Sequence, residues 1–228
     1  MNILRVCAVL LAFTSCTAHR PAERAEPVSH DQGEVSLEMQ EWRSRLQRID
    51  AAFRRDPAFY CLPPGADVDV DRLRISAVPF DRGTTVGSAM AEVQTLVLRR
   101  PDGSELVLPK LKEMTVSIAG HKLATRAHPV YELDSTLAHE LAHVWFASQY
   151  PMLYVKSGDF GLIEGHAVTS QFRWLQRFYP GVGEEEFLMT RVPSYRAAYW
   201  HFQKHYMKDG LVDWGLIEAR EMRMRVNP

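Results

Sequence analysis

His139-Glu140-Leu141-Ala142-His143 sets two histidines four residues apart, with a glutamate directly after the first. On a helix, residues i and i+4 stand on one face, one turn apart, so the two imidazoles can grip a single zinc ion. Glu140 then falls where its carboxylate reaches a water held by that ion and can act as its general base. Zinc lowers the pKa of such a water toward about 7 and polarises a substrate carbonyl. The chemistry expected is hydrolysis of peptide bonds with Zn2+ as cofactor. Leu137, Leu141, Val144 and Trp145 supply an apolar stripe beside the histidine face, as a packed helix needs.

A catalytic zinc takes three protein ligands and keeps its fourth position for water. The metzincin extension would put glycine three residues after His143 and histidine six after. Phe146 and Gln149 stand there, which excludes that class. Glu164, in Leu162-Ile-Glu-Gly-His-Ala, is the candidate third ligand, with Gly165 and Ala167 leaving room for the motif helix to approach. His166, Asp159 and Glu218 are the alternatives. His166 is two residues on, about 200° round a helix, so it and Glu164 do not readily share an ion. Asp159 reads as a helix cap.

His139, Glu140, His143 and Glu164 together resemble the gluzincins, the zinc metallopeptidases that include the thermolysin type. Residues 137–145, then Glu164-Gly-His-Ala, then Tyr195-Arg-Ala-Ala, look like the peptidase domain of the plant ubiquitin-activated peptidases that limit organ growth. Val144 departs from the alanine of that family, and its ubiquitin-binding and LIM modules have no counterpart in this sequence. The resemblance implies a zincin-like scaffold and a downstream tyrosine or histidine that donates to the tetrahedral intermediate. Tyr195 matches that place, and His201 is the second candidate. Many relatives carry an aspartate one turn after the glutamate ligand to orient a histidine; Val168 stands here, so that support is unassigned. A peptide or protein substrate is expected to lie antiparallel on an edge strand before the motif helix, at residues 114–118. The alternative function is a catalytically silent zinc-binding or interaction lipoprotein that kept the scaffold.

The elements that must position these residues follow from periodicity. Residues 34–53 read as an amphipathic helix ended by Asp56-Pro57. Strands are expected at 73–78, 93–98, 105–108 and 114–119, with Pro101-Asp102-Gly103 as a turn. Helices follow at 134–148, capped by Asp134, and at 161–178, 194–208 and 214–225. Strands followed by helices indicate α+β: a small β-sheet, then active-site helices. Cys61 reads as a small buried hydrophobe.

The 228 residues, 46% hydrophobic and 24% charged, exclude a disordered or fibrous chain. A net charge of −1 gives no footprint for nucleic acid. Residues 1–15 have the basic start, short apolar run and small residues of a signal peptide. Phe13-Thr14-Ser15-Cys16 resembles a lipobox, making Cys16 a candidate lipidation site that would anchor the chain to a membrane. Residues 16–33, with prolines and charges, read as a flexible tether. The expected organisation is leader 1–15, tether 16–33, helix 34–60 and a zincin-like body at 61–228. The expected location is the bacterial cell envelope, as a periplasm-facing lipoprotein.

Overall fold

The computed structural model describes residues 6–11, 37–77, 87–100, 102–120, 122 and 129–226. Cys16 and the tether lie outside them. The chain is mixed α+β. Helix α1 spans Leu37–Arg55, and its Trp42, Leu46, Ile49 and Phe53 are all buried, the stripe that their helical spacing predicts. Arg43 fastens it to the following loop by donating to the carbonyls of Val70, Asp71 and Leu73.

The main sheet has strands β1 (Val6–Leu11), β2 (Arg74–Ala77), β3 (Gly87–Arg99) and β4 (Glu105–Ile118), in the order β1-β3-β4-β2. Residues 6–11, inside the expected leader, thus form a strand antiparallel to Ala91–Leu96 of β3. β3 and β4 make a long antiparallel hairpin turned at Gly103, whose φ of 84° suits glycine. Where alternation predicts separate strands at 105–108 and 114–119, β4 runs unbroken through Pro109. β2 covers only residues 115–118 of β4, so among the described residues no strand pairs with the other side of β4 at Pro109, where a missing N–H is tolerated. The same pairing corrects the expected substrate edge. Residues 115–118 sit between β2 and β3 and present no free edge.

Helix α2 spans Pro129–Gln149. It starts five residues before Asp134, so that aspartate is not its cap. Asp134 is instead buried, bound by Arg45 at 2.7 Å and Arg48 at 2.6 Å from α1, with the Tyr179 hydroxyl at 3.4 Å. Arg54 of α1 also lies over the Trp145 ring. At 100° per residue Asp134 and Trp145 fall roughly 160° and 140° round the helix from the middle of the His139–His143 face. Helix α1 therefore buttresses the back of α2 rather than covering the histidines.

Pro151 ends α2 and opens the short helix α3 (Pro151–Lys156). The buried Glu221 caps α3 from far along the chain, accepting from the amides of Met152 at 3.2 Å and Leu153 at 2.8 Å. Helix α4 (Phe160–Phe178) begins at Asp159, whose side chain accepts from the Leu162 amide at 2.9 Å. Next come α5 (Glu184–Met189) and α6 (Pro193–Tyr206), then a two-stranded turn of β5 (Met207–Lys208) and β6 (Leu211–Val212), and α7 (Trp214–Val226). Helix α4 packs between α2 and α6. Gly165 faces α6, not α2 as its sequence context suggests: a Cβ there would strike the Ala198 carbonyl oxygen and Phe202. No helix among the described residues is long and apolar enough to cross a membrane.

Candidate metal centre

Helix α2 passes through the core, with Leu137, Leu141, Val144, Trp145 and Phe146 all inaccessible to solvent. Its polar face is therefore also buried, and His139, Glu140 and His143 point inward. Helix α4 presents Glu164 to them from its second turn. The side chains His139, His143 and Glu164 form the one group among the described residues that could hold a metal ion. The two Nε2 atoms are 3.1 Å apart; His139 Nε2 is 3.2 Å and His143 Nε2 3.5 Å from the two Glu164 oxygens. Both Nδ1 atoms are buried without a hydrogen-bond partner among the described residues, so the support that Val168 fails to give is not supplied by another of them.

The electrostatics follow from burial. Burial acts to raise Glu164, but the two imidazoles outweigh it and hold the carboxyl well below its ordinary range. His139 is pushed down by burial despite its bond to Glu164. For His143 burial acts downward too, yet the charge of and bond to Glu164, with Glu140 behind, leave it raised. Glu140, buried beside them, is pushed up to about 8 by burial, with His143 opposing the rise and Glu164 adding to it. This is a concentrated set of buried donor atoms, and burial of charge without a compensating partner is costly, an arrangement that suits a cation.

Two further side chains reach the cluster. Tyr195 lies with its ring 5.7 Å from that of His139, and Phe160 packs edge-on against it at 6.1 Å. Tyr154, which no motif marks, packs edge-on to His143 at 5.9 Å and donates its hydroxyl to the Ala89 carbonyl at 3.0 Å. Gly87 of β3 is the other neighbour without a sequence signal: a Cβ there would lie 2.7 Å from Glu140 Oε1.

The remaining candidates are placed elsewhere. The exposed His201 ring lies against Gly161 and tilts against that of His205 at 4.5 Å, and the structure does not bring it to the cluster. His166 is buried behind α4, where its Nε2 bonds the Cys61 carbonyl at 2.7 Å and burial lowers it to about 3. Asp159 caps α4 and pairs with Arg220 at 2.7 Å. Glu218 is exposed on α7. Cys61 is a buried thiol raised to about 11 by burial, as a small hydrophobe would be. Comparison with protein-family models, curated proteins and solved structures gives no match.

Proposed function

We propose that the chain is an exported zinc-dependent metallopeptidase with a zincin-like, gluzincin-type scaffold. The donor spacing carries the reading. A tetrahedral ion with bonds of 2.0–2.1 Å has donor–donor edges of about 3.4 Å. Here the two Nε2 atoms are 3.1 Å apart, and each lies within 3.5 Å of a different Glu164 oxygen; one ligand atom from each residue lies within 4.8 Å of the others. Two imidazole nitrogens and one carboxylate oxygen are a set that zinc takes while keeping a fourth place for water.

When bound, zinc supplies a Lewis acid for a water and a peptide carbonyl. The rest falls to side chains. His139 and His143 offer Nε2, so each carries its proton on Nδ1. Glu140 takes a proton from the attacking water and later delivers it to the leaving amine. The Tyr195 hydroxyl donates to the oxyanion that develops on the carbonyl oxygen. Loss of residues 1–15 as a leader would remove β1 and open the outer edge of β3, which begins at Gly87 beside Glu140. An extended peptide adds to such an edge. Cys16 then carries the lipid that anchors the chain at the cell envelope.

The test is metal analysis of protein purified without chelator, with cleavage of a quenched-fluorescence peptide library. One zinc per chain and library cleavage are expected, with Glu140→Gln keeping the zinc and losing the cleavage. Full cleavage by that variant, or no zinc in the wild type, would sink the reading. Mass spectrometry of the mature N-terminus checks the anchor: an unmodified chain that retains residues 1–15 rules it out.

A further inference from the structure

Glu140 must hold its carboxylate in one place to act as a base, yet its Oε2 is buried without a hydrogen-bond partner among the described residues. Packing must therefore contribute to its orientation. The nearest wall is the start of β3. A Cβ on Gly87 would stand 2.7 Å from Glu140 Oε1, 3.2 Å from its Cδ and 2.7 Å from Thr136 Cγ2. The backbone of Gly87 lies outside the left-handed region, so its conformation does not require glycine. Space requires it, and half of that space belongs to the carboxylate.

Something must hold the wall in place. Two residues along, the Ala89 carbonyl accepts the Tyr154 hydroxyl at 3.0 Å. The ring of the same tyrosine rests edge-on against His143 at 5.9 Å. One buried side chain thus spans from a proposed metal ligand to the strand that bounds the base. We infer that Gly87 and Tyr154 are positioning residues for Glu140, Gly87 by leaving the carboxylate its seat and Tyr154 by tying β3 at a fixed distance from the histidine helix. This rests on the reading of Glu140 as the base.

The test has two arms, on the full chain. In the first, kcat and KM are measured on a quenched peptide that the wild type cleaves. Gly87→Ala lowers kcat by about 100-fold, as displacement of a catalytic group by about 1 Å does, with KM and zinc content unchanged. Tyr154→Phe, which keeps the ring and loses the tie, lowers kcat by about 10-fold with KM unchanged. The second arm needs no substrate. Gly87→Ala lowers Tm by about 5 °C in the wild-type background and by clearly less in Glu140→Ala, where the crowded carboxylate is gone. Equal losses of Tm in the two backgrounds, or wild-type kcat in either variant, overturn the inference. Should Gly87→Ala fail to fold, the kcat of Tyr154→Phe decides alone. A wild type that cleaves no peptide defeats the peptidase reading, while the thermal cycle still decides whether Gly87 presses on Glu140.

Discussion

Helix α2 carries two buried clusters of charge built on opposite plans. Near its start, Asp134 is met by two guanidinium groups and a phenol, and its charge is balanced within the protein. One to two turns on, Glu140 and Glu164 are buried beside two imidazoles, which pair with Glu164 at 3.2 and 3.5 Å. The first cluster joins two helices and is complete. In the second, Glu164 is paired with imidazoles, whose charge depends on protonation. Burial alone does not distinguish structural from functional acid groups; what the protein supplies to balance them does.

The largest break in this contrast comes from the base. Glu140→Gln is expected to lower peptide turnover by about 1,000-fold with zinc retained, checked by library cleavage beside metal analysis. Asp134→Asn should leave turnover and zinc near wild type. Next is the third ligand. Glu164→Gln replaces an anionic ligand with a neutral one, and equilibrium dialysis is expected to show zinc affinity reduced by about 100-fold or more. Chelation of the wild type should abolish activity, added zinc should restore it, and Tm should fall on chelation because the ion binds only the folded chain. A chelator-resistant activity would end the contrast between the clusters.

Asp134→Ala sharpens the other side. Arg48 is 56% exposed and can turn to water, so the loss is moderate, about 2 kcal/mol by urea unfolding, with zinc content unchanged. The smallest effect belongs to Cys61. Its thiol is raised to about 11 from 9.0, so the folded chain keeps a proton that the unfolded chain releases. Its contribution to stability is full below pH 9 and is lost as pH rises through about 11. At pH 8, alkylation of Cys61 should follow the rate of opening, measured against the same reaction in urea.

Much of the candidate metal centre is legible in the sequence because its signal is local. The spacing of His139 and His143 states which face they share, and Glu164 stands near a helix start. The parts that were not legible depend on contacts distant in sequence. Asp134 looks like a cap until Arg45 and Arg48 arrive from α1. Gly165 looks like clearance for α2 until α6 is placed. Alternation around Pro109 breaks the apparent strand, although β4, with no strand among the described residues paired on its other side there, continues through it. Gly87 and Tyr154 belong to no motif, since their importance comes from the juxtaposition of β3 with α2 and α3.

Glu221 has a wider reach than its place on the last helix suggests. The six-residue helix it caps is the mount of Tyr154, and a helix so short has little stability of its own. Through that cap and the Tyr154–Ala89 hydrogen bond, the last helix is linked to the start of β3. Cutting it away would leave the Met152 and Leu153 amides to water and slacken the mount of Tyr154, while His139, His143 and Glu164 stayed on helices it does not cap.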